Sequence, residues 1–241
     1  MTTEPPDTSP RAVAGTMPAV RSAAAARDKT AATVAALTVT LGVAAVCWFA
    51  AVRQLSGMDM GVATRLGSFA SFTVLWVVMM AAMMLPGTVP AVMRRANTGR
   101  VLTVPLFTGA YLVVWALVGV AVYALYRPHG SVPAGVIVIA AGVYELTPLK
   151  RHCRRLCRES TRSGFEFGLC CVGSSIGLML VLLALGVMSV TWMAVITVLT
   201  LAQKLLPAKA VIDVPLALAI AGLGAAIVVA PASIPGLMPS M

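Results

Sequence analysis

The chain has 241 residues, of which 59% are hydrophobic and only 11% are charged. An ordinary soluble domain is about 25% charged, so this composition and a mean hydropathy of +0.93 exclude a soluble globular domain and predict a multi-span membrane protein. The net charge of +10 reflects membrane topology, because Lys and Arg in loops orient helices, and we expect no nucleic-acid partner.

The apolar runs are continuous and rich in Ala, Leu and Val, which favours helices. We therefore predict an all-α fold, a polytopic transmembrane helical bundle of about seven spans, over residues 31–232. Residues 1–30 contain several prolines and little to bury, so we expect a disordered cytoplasmic tail there. Residues 233–241 are predicted to be a short second tail.

Seven apolar segments are predicted to span the membrane. Pro86 is expected to kink the second of them, and the fourth is short. In chain order the predicted spans are 31–52, 69–93, 101–126, 132–149, 168–187, 190–206 and 211–230.

The basic residues predict the orientation of these spans. If the N-terminus is inside, all of the 18 Lys and Arg residues except Arg53, Arg65 and Arg127 fall on the inner side. This asymmetry follows the positive-inside rule. It predicts a multi-pass protein of the cytoplasmic (inner) cell membrane, with the N-terminus inside and the C-terminus outside.

Four of the five cysteines lie close together in the sequence, on the inner side of the membrane: Cys153, Cys157, Cys170 and Cys171. Cys153 and Cys157 have the i, i+4 spacing of one helix face. Thiolates suit Cu(I) or Zn(II), and His152 would add a nitrogen ligand. We expect the neighbouring Arg and Lys to lower the thiol pKa values. The alternative is a set of reduced thiols that binds no metal.

A methionine cluster lies in the second predicted span. Met79 and Met83, and likewise Met80 and Met84, are spaced i, i+4 along a helix. Thioethers bind Cu(I), so Met80, Met83 and Met84 are candidate copper ligands. The alternative is that methionine fills irregular gaps between helices.

Glu145 lies inside a predicted span, where an unpaired carboxylate is costly. Either it faces the bundle interior, protonated or paired with a cation, or it is hydrated near the interface. The sequence contains no nucleophile–base set and no phosphate-cradling loop. We therefore do not expect an enzyme.

Several motifs together resemble a bacterial family of predicted metal-binding integral membrane proteins, a domain of unknown function. The likeness covers about residues 45–210. Its most distinctive piece is TPLK-x2-C-x3-CR, which is intact at residues 147–158. The motifs are WVVMMAAMMLP (76–86), YELTPLKRHCRRLCR (144–158), GLCCVGSSIGLM (168–179) and GVMSVTWMAVITVLTLAQKLLP (186–207).

The chain departs from the family pattern at three places. Where relatives have Gly-Cys-Cys, it has Gly173 followed by Ser174 and Ser175. A family histidine is replaced by Phe167, and a Glu-Lys pair becomes Gln203 and Lys204. Cys171 matches a family cysteine, whereas Cys170 is additional. At each of these three places the chain lacks ligand or proton sites that the resemblance implies.

The predicted function is metal handling through a soft-metal site, copper or zinc, at the cytoplasmic face. The partners we expect are the lipid bilayer, a metal ion, and another membrane protein or a metal carrier. Three alternatives remain open from the sequence: a non-metal transporter, a scaffold subunit of a membrane complex, and a thiol redox protein.

Overall fold

A computed structural model of the protein describes residues 16–55, 68–98, 100–126, 130–159, 163–186, 189–206 and 210–230. Within these ranges the regular structure is entirely helical, which confirms the all-α prediction. Short 3₁₀ turns lie at Pro86–Thr88 and Val101–Thr103. The helices are α1 (Thr16–Leu55), α2 (Phe69–Met84), α3 (Val89–Asn97), α4 (Val104–Leu125), α5 (Ser131–Glu145), α6 (Pro148–Glu159), α7 (Gly164–Leu185), α8 (Val190–Leu205) and α9 (Ala210–Val229).

Length and composition decide which described helices can cross a membrane. Three are long and apolar enough: Ala26–Leu55, Val101–Leu125 and Gly164–Leu185. The number rises to five if each bent pair is one span, namely α2 with Pro86–Asn97 (46°) and α5 with α6 (63°). The apolar helices Val190–Leu205 and Asp213–Val229 are shorter. The structure therefore supports a helical bundle with three to five candidate spans, below the predicted seven.

Two predicted boundaries differ from the observed ones. Helix α1 begins at Thr16, so residues 16–30 are helical and are not part of a disordered tail. The four consecutive alanines at 23–26 explain this, because alanine has the highest helix propensity. Helix α5 ends at Glu145, before Pro148, and α6 begins as a separate helix. The rest of the predicted N-terminal tail and the tail at 233–241 lie outside the described residues.

Helix α7 lies in the middle of the bundle and packs against α4, α5, α6 and α8. Beside it, Trp76 of α2 donates its indole N–H to the carbonyl of Trp115 on α4 at 2.9 Å. Trp76, Trp115 and Leu178 are all fully buried. On α7 itself, Cys171 is buried in the bundle, whereas Cys170 is only partly buried.

Helices α5 and α9 approach each other through glycines. A Cβ added to Gly135, Gly142 or Gly224 would lie only 2.7 to 2.8 Å from a backbone atom of the facing helix. Small residues permit this close packing of membrane helices. The pair therefore depends on the absence of side chains at these positions.

We expect Gly224→Val to destabilise the protein by about 1–3 kcal/mol, because the larger side chain would force α5 and α9 apart. The matched control is Gly222→Val, since a Cβ at Gly222 meets nothing within 4 Å. Thermal unfolding in detergent should show a lower Tm for the Gly224 variant alone. Equal Tm values for the two variants would contradict this packing.

Candidate metal centre

The packing of α6 against α7 brings the two cysteine segments together. Cys153 lies against Gly173, where an added Cβ would be 2.7 Å from the Cys153 sulfur. Cys157 Sγ, one turn further along α6, lies 4.0 Å from Ser174 Oγ. The side chain of Cys170 interacts with that of Cys157. These three thiols therefore lie along one helix–helix interface.

Cys171 lies deeper than the other cysteines and contacts a cation. Its side chain is fully buried, and Lys204 of α8 donates to its Sγ at 2.9 Å. The Tyr111 hydroxyl of α4 lies 3.2 Å from the same sulfur. Lys204 Nζ also lies 3.7 Å from Sδ of the buried Met84. One ammonium group therefore contacts both a cysteine sulfur and a thioether sulfur.

The local sequence explains how Lys204 reaches these sulfurs. Pro86 ends α2 just after Met84, because proline interrupts the helical hydrogen bonds. Gly87 then leaves room for the lysine, since a Cβ at Gly87 would lie 2.8 Å from Lys204 Nζ. Ser175 of α7 donates to the Cys171 carbonyl at 2.6 Å, a local bond that keeps its hydroxyl away from the sulfur.

Next to the sulfurs, Glu145 belongs to a buried network. It forms an ion pair with Lys150, and both residues are 2% exposed. Gln203 donates to Glu145 Oε2 at 2.7 Å and accepts from Lys150 Nζ at 2.9 Å. Glu145 therefore faces the bundle interior and is paired with a cation. This matches the first of the two interpretations of the sequence and not a hydrated position near the interface. Gln203 completes this network through its side-chain amide.

A second buried ion pair extends the network to α9. Arg154 Nη1 lies 2.6 Å from Asp213 Oδ1, and Arg154 Nη2 donates to the Gln203 carbonyl at 2.6 Å. Both ion-pairing residues are buried. Because buried charges must be paired, these contacts fasten α6 to α8 and α9 and fix the helix that carries Cys153 and Cys157.

The remaining predicted ligands are placed differently. His152 is exposed on α6, so its side chain does not enter the α6–α7 interface. Met80 and Met83 are fully buried in the apolar core, as the packing interpretation of the methionines expects. Among the described ranges, no three His, Cys, Asp or Glu side chains converge as a metal-binding group. Met84 is the methionine that meets the cysteine region.

From the sequence we expect neighbouring Arg and Lys to lower the thiol pKa values, but the pKa of Cys157 is raised. Burial raises its thiol pKa, the neighbouring Cys171 raises it further, and Lys204 lowers it by a smaller amount. Cys157 lies on the basic helix α6, beyond the end of the span predicted at 132–149. The basic residues around it therefore do not make it a low-pKa thiol, because desolvation dominates.

Sequence reasoning missed Lys204, Tyr111 and Asp213 as site residues. A usable signal existed for Lys204 and Asp213, since a charged residue in or beside an apolar helix marks a functional or paired position. Tyr111 gave no such signal, because a tyrosine in an apolar span is equally typical of packing.

A protein-family model described as PpoB2, copper chaperone, matches residues 73–227, well over half of the chain. No curated protein and no solved structure matches. The matched segment includes Met84, Cys157, Cys171 and Lys204.

Proposed function

We propose, from the premise that the chain belongs to the PpoB2 copper chaperone family, that it is a membrane-embedded Cu(I) carrier. It would take up Cu(I) on sulfur ligands and pass it to a partner protein by ligand exchange. Copper is the cargo in this proposal, and no chemical step is catalysed. The three to five candidate spans support an integral membrane protein.

The contact of Lys204 with both Cys171 and Met84 carries this proposal. Thiolate and thioether sulfurs are the ligands that Cu(I) prefers, and here one cation already contacts both. Cu(I) carries the same single positive charge as the ammonium group it would displace. The charge at the Cys171 sulfur is therefore unchanged when the displaced ammonium group of Lys204, a partly buried residue, moves out toward solvent, and this avoids the cost of an uncompensated buried charge.

Cys157 supplies a route by which copper would leave. It interacts electrostatically with the buried Cys171 and through its side chain with the partly buried Cys170. A soft metal moves readily between neighbouring sulfur ligands. We place this end of the bundle at the cytoplasmic face, because α6 is strongly basic and the positive-inside rule then applies.

Anaerobic loading tests the proposal. The reduced protein, purified in detergent, is incubated with Cu(I), passed over a desalting column and assayed for copper and for protein. We expect the wild-type protein to retain a single Cu(I) per chain and to transfer it to a thiol-bearing acceptor. Negligible retention by the folded wild-type protein would refute the proposal.

The methionines permit a sharper comparison. We expect Met84→Leu to weaken Cu(I) binding by at least about tenfold, the lower end of the effect of changes around a metal. Met80→Leu and Met83→Leu are matched controls, because both side chains are as buried as Met84. Leucine conserves the volume, so all three variants should fold. Equal losses in all three would contradict the assignment of Met84.

A thiol redox role is the second candidate, favoured by the interaction of Cys157 with Cys170. All five cysteines are free in the structure. Mass spectrometry after mild oxidation distinguishes the two roles. A redox protein should form a specific disulfide and recover on reduction, whereas a copper carrier should lose copper retention on oxidation and show no preferred pairing.

A further inference from the structure

A small cavity with a strongly basic lining lies between α3, α6, α7 and α8. Its volume is about 50 Å³. Four cationic residues border it, and no Asp or Glu of the described chain does so. The cations are Arg94, Arg154, Arg158 and Lys204, of which Arg154 is already paired with Asp213 of α9.

Three lining residues have polar atoms that no partner satisfies. Nε of Arg94, Nε of Arg154 and Oγ1 of Thr200 are buried without a hydrogen-bond partner in the part of the chain that the structure describes. Arg154 is 6% exposed and Thr200 is 2% exposed. A buried donor left unsatisfied is costly, so these atoms indicate a ligand.

We propose that this cavity binds a phosphate group, either inorganic phosphate or the phosphate of a lipid headgroup. Guanidinium groups match the geometry of phosphate oxygens, and the Thr200 hydroxyl adds a further donor. A cavity needs about 10–15 Å³ to hold one water molecule. The observed 50 Å³ therefore fits an ion with a few oxygen atoms.

The position of the cavity relates it to the membrane. It lies beside α6, whose exposed residues include Arg151, Arg155 and Arg158. Basic segments at a membrane surface attract anionic lipid headgroups. Lys204 borders both this cavity and the sulfur pair. If Cu(I) displaces the Lys204 ammonium group from Cys171, as proposed above, a phosphate bound in the cavity would be an anionic partner for that ammonium group.

The phosphate site does not depend on copper binding and is tested on copper-free protein. One arm measures binding of inorganic phosphate by titration calorimetry in a non-ionic detergent. The other places the protein in phosphatidylcholine nanodiscs, with and without phosphatidic acid, and identifies retained lipid by native mass spectrometry. Binding in the first arm alone identifies free phosphate as the ligand, and retention in the second alone identifies the lipid.

Substitutions distinguish a specific phosphate-binding site from a general attraction of anions to the basic residues of α6. We expect Arg94→Gln and the nearly isosteric Thr200→Val each to weaken binding at least about tenfold. Arg155→Gln, an exposed α6 residue that does not line the cavity, should change it by less than about twofold. Absence of binding in both arms would overturn the proposal. Equal effects of Arg94→Gln and Arg155→Gln would do so as well.

Discussion

Replacing Cys171 by serine should lower the Cu(I) affinity of the protein by at least about 100-fold, the upper end of the effects seen around metal sites. The hydroxyl oxygen of serine is a hard ligand that Cu(I) does not favour. The change is small in volume, and the Lys204 and Tyr111 contacts at 2.9 and 3.2 Å can persist on an oxygen acceptor. Competition with a chromogenic Cu(I) chelator under anaerobic conditions measures the affinity.

Cys47→Ser is the control for this variant. Cys47 lies on α1, is partly buried and is equally a free thiol. We expect its Cu(I) affinity to match that of the wild type within about twofold, because an isolated thiol is typically a packing residue. If Cys171→Ser and Cys47→Ser lose affinity equally, the sulfur ligand is not Cys171.

Breaking the buried ion pair is expected to have the largest effect on stability. Lys150→Met removes the cation that is paired with Glu145, and both residues are 2% exposed. Losing one partner of a buried pair costs about 3–5 kcal/mol, because the other charge remains buried and uncompensated. Unfolding of the detergent-solubilised protein by a chemical denaturant measures the loss of free energy of unfolding.

The double variant Glu145→Leu with Lys150→Met is the matched control. Apolar residues of similar size often replace a buried ion pair with little change in stability. We therefore expect the double variant to recover most of the loss caused by Lys150→Met. A double variant less stable than Lys150→Met would show that Glu145 stabilises the fold by contacts other than this pair.

The helices could largely be predicted from the sequence, because long apolar runs and prolines are local signals. Pro86, expected to kink the second span, lies at the break between α2 and the following helices, which are bent by 46°, and the apolar runs around it are helical. The start of α1 at Thr16 was missed because the prolines before it and the polar composition outweighed the four alanines at 23–26. The sequence determines the number of spans less well, because α2 and α5 end before they are long enough to cross a membrane alone.

Only those parts of the candidate site that depend on residues of a single helix face could be predicted from the sequence. The i, i+4 spacing placed Cys153 and Cys157 on one face of α6, and that face does pack on α7. The approach of Lys204 to Met84 could not be predicted, because these residues are 120 positions apart and meet through helix packing. The resemblance implies that Gln203 is the loss of a family glutamate. In the structure its side-chain amide hydrogen-bonds to both Glu145 and Lys150 of the buried ion pair.

X-ray absorption at the copper edge of the Cu(I)-loaded wild-type protein tests most directly whether copper is held by sulfur at Cys171 and Met84. We expect a first shell of sulfur only, which changes to a mixed sulfur and oxygen or nitrogen shell in Cys171→Ser. A wild-type first shell of nitrogen or oxygen, or a spectrum that Cys171→Ser leaves unchanged, would contradict the assignment.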